Sequence, residues 1–195
     1  MKLTSMKLIL TAVCSAIIGV LAFFAAITTT VVPGVAAIYP AAALEVVFGV
    51  WFGLWGGLAS YLGLLIAGTL GGWFPLHLGL ILSSSDFLLA FLPALFFHLV
   101  KLDPELTRVR DVILFIVGSV IVGSVPGSII YNYINFKLGV LPTIDAFWVA
   151  IIGWNLGNLI VIPVIGIPLL KTLTRFVRRS GLYFPIGSSG TKKTL

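Results

Sequence analysis

Glu45 and Asp86 are the only formally charged residues between Lys7 and Lys101. Two carboxyl groups that far from any countercharge can in principle form a carboxylate pair or set the charge preference of a binding site. A second polar set lies later in the chain, with Tyr131, Asn132 and Asn135 in one apolar stretch and Trp154, Asn155 and Asn158 in the next. Amides and aromatic rings at such positions suit hydrogen bonding and stacking on a small polar solute. Chemistry beyond binding finds little support. His77 and His98 sit at opposite ends of apolar segments, Cys14 is the single cysteine, and there is no HExxH, GxSxG or P-loop. A non-enzymatic protein without a metal or cofactor of its own is expected, and nothing in the spacing alone sets Glu45 and Asp86 at a working distance.

The elements that carry these residues are read from hydropathy. Charged residues make up 9% of the 195-residue chain and hydrophobic ones 59%, with a mean hydropathy of +1.18. A soluble domain needs a charged shell, so lipid is the expected solvent for most of this surface. Backbone groups in lipid must pair internally, and the long unalternating apolar runs select helices over barrel strands. The fold class expected is an all-α, integral membrane six-helix bundle in the cell membrane, one domain over 1–180 with a flexible tail over 181–195.

Four runs read as spans: Leu8 to Val32, Leu78 to Val100, Val112 to Phe136 and Phe147 to Leu170. Pro33 to Pro75 must contribute an even number of crossings, because eleven of the twelve basic residues then fall on one side, with Lys137 alone on the other. Two short helices, Ala41 to Leu54 and Trp55 to Gly71, satisfy that parity, as would a re-entrant hairpin. If the basic side is cytoplasmic, both termini are inside. Asp103-Pro104-Glu105 reads as an N-cap followed by Pro at the first helical position. The N-terminal apolar run is longer than a signal-peptide core and has no clean cleavage site, so it is expected to remain as the first helix.

Depth sorts the polar residues. Glu45 follows Pro40 by about one turn, and Asp86 lies about 12 Å from the outer start of its span at 1.5 Å per residue. With Asn132, Asn135, Asn155 and Asn158 also placed toward the outside, a vestibule open to the exterior is expected. An interfacial belt of Tyr131, Tyr133, Trp73 and Trp148 with interhelical asparagine hydrogen bonds is the plainer account of each aromatic, whereas a cavity better suits Glu45, Asp86 and Asn155. Small residues at helical spacing, including Ala12, Ser15, Ala16 and Gly19, mark close helix contacts. Ala12 and Ala16 also suit an exposed face for another membrane protein.

The stretches MKLILTAVCSAI (6–17), VVPGVAAIYPAAALEVVFGVWFGLWGGLASYLGLLIAG (31–68) and WNLGNLIVIPVIGIPLLKTL (154–173) resemble the substrate-binding S components of energy-coupling factor (ECF) transporters. That resemblance implies six helices with cytoplasmic ends and capture of a small vitamin-like or other polar solute on the outer side. It also implies a gate in the loop after the first helix, here Thr28 to Gly34, and docking through Ala12 and Ala16 on a transmembrane coupling subunit driven by cytoplasmic ATPases. Any ATP would be used by those partners; nucleic acid is not an expected partner. The chain begins Met1-Lys2 and lacks the Met-His pair of nickel and cobalt S components. Tyr39-Pro40-Ala41-Ala42 and GWNLGNLIVIPVIGIPLL (153–170) also resemble MASE1-type membrane sensors, which carry an output domain where this chain runs only 25 residues past Leu170. A stand-alone permease is the remaining alternative.

Overall fold

A computed structural model describes residues 3–28, 30–32, 35, 36 and 38–187, with side chains described over 4–26 and 38–187. Six helices make up the bundle: α1 Leu3–Thr28, α2 Pro40–Phe52, α3 Leu54–Leu70, α4 Leu76–Val100, α5 Val109–Lys137 and α6 Ile144–Arg179. Four of them (α1, α4, α5 and α6) are long and apolar enough to cross a membrane. Helix α1 stops short of the expected Val32, where the β-branched run Thr28 to Val32 meets Pro33-Gly34 and disfavours continued helix. There β1 (Thr30–Val32) pairs antiparallel with β2 (Val35–Ala36).

Helix α2 is the centre of the bundle. Apart from Glu45 its thirteen residues are apolar on every face, the pattern of a helix with no solvent side, and all but Pro40 and Leu44 are buried. Small residues let its neighbours approach. Gly49 lies directly on the backbone of Ala90 in α4, and Gly63 of α3 seats Ile18 of α1. Gly53, at φ 57°, turns the chain between α2 and α3, a left-handed conformation that favours glycine. That turn lies against Phe184, whose N–H donates to the Trp51 carbonyl at 2.8 Å, and Lys7 packs over the rings of Trp55 and Phe184. The α2–α3 turn, the start of α1 and residues 181–187 therefore share one end of the bundle. Helices α2 and α3 are about 20 and 25 Å long for 13 and 17 residues.

Two expectations are corrected here. Residues 181–187 do not form a loose tail: Leu182 and Tyr183 pack on the core beneath α2, Arg178 covers the Tyr183 ring, and Gly187 touches His98. Residues 188–195 lie outside the described residues. Asp103-Pro104-Glu105 starts no helix, and α5 begins at Val109. Asp103 instead closes a turn, accepting from the Glu105 N–H at 3.0 Å and the Thr107 hydroxyl at 2.6 Å, and Leu106 takes a left-handed φ of 49° that breaks helical continuation. Burial alone would raise the Asp103 carboxyl, but these hydrogen bonds outweigh it and hold it below the usual carboxylate range. The same loop is tied to α6 by Glu105, paired with Arg175 at 2.7 Å and Arg178 at 3.2 Å. Thr174 extends the tie, donating to the Pro104 carbonyl and accepting from Trp51 Nε1 at 2.9 Å.

Candidate functional site

The two carboxyl groups meet. Glu45 projects from the second turn of α2 and Asp86 from the start of the long segment of α4, just after the break at Ser83, and both are 0% exposed. Tyr39, the residue before Pro40 at the head of α2, sets its hydroxyl 3.1 Å from Glu45 Oε1 and 3.1 Å from Asp86 Oδ2. Ser85 Oγ adds a contact to Asp86 Oδ1 at 3.2 Å while donating to the Leu82 carbonyl at 2.7 Å. Close packing of Gly49 on Ala90 is what draws α2 and α4 near enough for this bridge to form.

A second polar group lies between α5 and α6. Pro126 can supply no N–H and would crowd the carbonyl four residues back, and the turn before it widens to a π-helix over Gly118–Ser124. That widened turn ends on Ser124, whose hydroxyl donates to Asn155 Oδ1 at 2.8 Å and accepts from Asn158 Nδ2 at 2.9 Å. Asn155 Nδ2 donates to Ser128 Oγ and to the Ile151 carbonyl, both at 2.8 Å. Gly127 rests against the Ser85 carbonyl, so this seam and the carboxyl pair lie at neighbouring levels in the bundle.

Among the expected site residues, the structure brings Glu45 and Asp86 together and sets Tyr131 beside Trp154 with ring centres 5.3 Å apart. Tyr131 is near enough to Asp86 to interact with it electrostatically. Asn132 donates to the Ser128 carbonyl at 2.8 Å and Asn135 to the Tyr131 carbonyl at 3.1 Å, each within its own helix. Asn155 commits both amide hydrogens and its oxygen to the protein, which makes it a clamp between α5 and α6. Asn155→Ala is expected to lower stability by about 2 kcal/mol, because the Ser124 hydroxyl loses its acceptor and Ser128 loses a donor, readable as an earlier unfolding midpoint in mild detergent.

Unused polar capacity points elsewhere. Glu45 Oε2, Asn132 Oδ1 and Trp154 Nε1 are buried without a hydrogen-bond partner among the described residues, and buried polar atoms left unpaired are rare without a ligand, water or strain to explain them. Tyr39, Ser85, Ser124 and Ser128 complete the polar arrangement and were not among the residues singled out from sequence. The signal for Tyr39 was its place at the head of the helix that carries Glu45. Side chains of the expected gate, Thr28 to Gly34, lie outside the described residues. Ala12 and Ala16 face outward from α1, whereas Ser15 and Gly19 face α3. A charged recess lined by Lys101, Asp103, Arg108, Arg110, Asp111 and Arg178 lies at the other end of the bundle.

Together the helices and the buried carboxyl pair define a helical bundle of membrane-spanning proportions with a polar group enclosed between its helices. Comparison with family models, curated proteins and solved structures finds no match to this chain.

Proposed function

We propose that the chain is the membrane-embedded solute-binding subunit, or S component, of an ECF-type uptake transporter. The observation that carries this reading is the meeting of Glu45 and Asp86 at Tyr39, buried deep in an apolar bundle with no basic side chain beside them. Such a group is costly to bury, and recognition of a solute is the use this reading gives it.

In this reading the end of the bundle that carries Lys7, Lys101, Arg108, Arg110, Arg175 and Arg178 faces the cytoplasm, as the concentration of basic residues favours. Both chain ends then lie inside, and the head of α2 with Glu45 faces the exterior. Solute enters past the loop between α1 and α2, and the outward face of α1 at Ala12 and Ala16 docks on a transmembrane coupling subunit worked by cytoplasmic ATPases.

Reconstitution in liposomes tests the proposal. Uptake of a co-purifying solute, identified by mass spectrometry, is expected only when coupling subunits and ATP are present; uptake by the chain alone would identify a permease instead. Ala12→Trp with Ala16→Trp is expected to leave the fold intact, because both positions are exposed, and to abolish co-purification with the coupling subunit. An undisturbed complex would remove α1 as the docking face.

A further inference from the structure

The carboxyl pair is short of hydrogen. Tyr39 has one hydroxyl proton to serve Glu45 Oε1 and Asp86 Oδ2, both at 3.1 Å. The Ser85 hydroxyl is closer to the Leu82 carbonyl than to Asp86 Oδ1, at 2.7 against 3.2 Å, and Glu45 Oε2 has no partner among the described residues. Four carboxyl oxygens thus face fewer than two protein hydrogens, while each ionised carboxylate can accept about four.

Positive charge is missing as well. No Lys or Arg occurs between Lys7 and Lys101, and the segment 27–37 holds no ionisable side chain. The titratable groups facing the pair are Tyr39 from the head of α2 and Tyr131 from α5, both phenols. Helix α6 offers Trp154 and Asn155 at this depth and no ionisable group; its basic residues begin at Lys171.

We propose that the Tyr39–Glu45–Asp86 group binds an organic cation through a protonated nitrogen, and that the empty site holds one proton between the two carboxyls which leaves when the cation arrives. This rests on the solute-binding reading above and names the class of solute. The exchange balances: a carboxylic O–H bond breaks, the proton passes to external water, and N–H hydrogen bonds from the ammonium group take its place on the freed carboxylate oxygens. The Tyr131–Trp154 ring pair, whose Tyr131 interacts electrostatically with Asp86, would receive an aromatic or apolar body attached to that nitrogen.

The test uses the purified full chain in mild detergent, with unfolding midpoints recorded at equal ionic strength. Phenethylammonium chloride is expected to raise the midpoint, and sodium chloride, phenethyl alcohol and sodium phenylacetate are expected not to. Because a proton competes for the site, the apparent affinity for phenethylammonium should be higher at about pH 8 than at about pH 5.5. Glu45→Gln and Asp86→Asn should each weaken it by about tenfold or more. Equal stabilisation by the neutral alcohol or by sodium, no stabilisation by phenethylammonium, or full retention in both variants would overturn the proposal. Should either variant fail to fold, infrared difference spectra of the wild-type protein decide: loss of a protonated-carboxyl carbonyl band on adding phenethylammonium supports the exchange, and an unchanged band overturns it. Cation selectivity in a chain that transports alone would remove the S-component reading and leave this one standing.

Discussion

Glu45→Gln is expected to raise the unfolding midpoint of the empty protein while weakening its affinity for cations. The substitution keeps the shape of a side chain that is 0% exposed in the middle of α2, so no cavity forms. It removes one of two adjacent acids and adds an amide able to donate to Asp86 or to the Tyr39 oxygen, which relieves the donor shortage directly. A hydrogen bond to a buried charged group contributes about 1.5–3 kcal/mol. A residue kept for packing would behave in the opposite way, losing stability on substitution. Gain of stability with loss of binding is the mark of a group retained for function, and a lowered midpoint at neutral pH would assign Glu45 to the scaffold.

Gly49→Ala should be among the most disruptive single methyl additions to the described residues. A Cβ at this position would meet the carbonyl oxygen, carbonyl carbon and Cα of Ala90, all backbone atoms of α4 that no rotamer change can move aside. Ordinary overpacking costs about 1–3 kcal/mol when side chains can adjust; here whole helices must separate, and about 3 kcal/mol or more is expected. The same displacement pulls Glu45 away from Asp86, since both lie within about one turn of the contact. Stability and cation affinity should therefore fall together, unlike the opposed changes expected for Glu45→Gln. Unfolding in detergent alongside phenethylammonium titration reads both quantities.

The helical organisation was legible in hydropathy because lipid-facing helices must be apolar along their whole length, and Pro and Gly punctuate them. Even the short α2 and α3 followed from the parity of basic residues. The bounds observed, Pro40–Phe52 and Leu54–Leu70, lie within two residues of those expected. Asp103-Pro104 misled because an N-cap signal carries no information about Leu106, whose positive φ ends the turn. The segment after Gly181 misled because Gly, Ser and Lys dominate its composition, while the three residues that dock, Leu182, Tyr183 and Phe184, form a short apolar island.

Within the polar interior, Glu45 and Asp86 stood out by type, yet their meeting depends on a third residue. In the sequence Tyr39 stands out only as part of Tyr39-Pro40-Ala41-Ala42, and only the packing of α2 on α4 turns its hydroxyl into a bridge over 47 positions of sequence. Asn155 is the converse case. Its type suggested a ligand contact, but Ser124 and Ser128 supply its partners, and two serines in a helix give no sign in sequence that a widened turn aims one of them across the interface. Hydrogen-bond satisfaction is a property of the assembled bundle, so which polar groups are left with capacity for a solute emerges only there.

A double-mutant cycle on Glu45→Gln and Asp86→Asn, read by unfolding in mild detergent, tests most directly whether two helices join these carboxyls in one buried group. The arrangement requires coupling: once one acid has been neutralised the second substitution has little left to relieve, so the pair should fall short of additivity by about 1 kcal/mol or more. Effects that add to within about 0.5 kcal/mol would contradict it, since independent sites behave in that way.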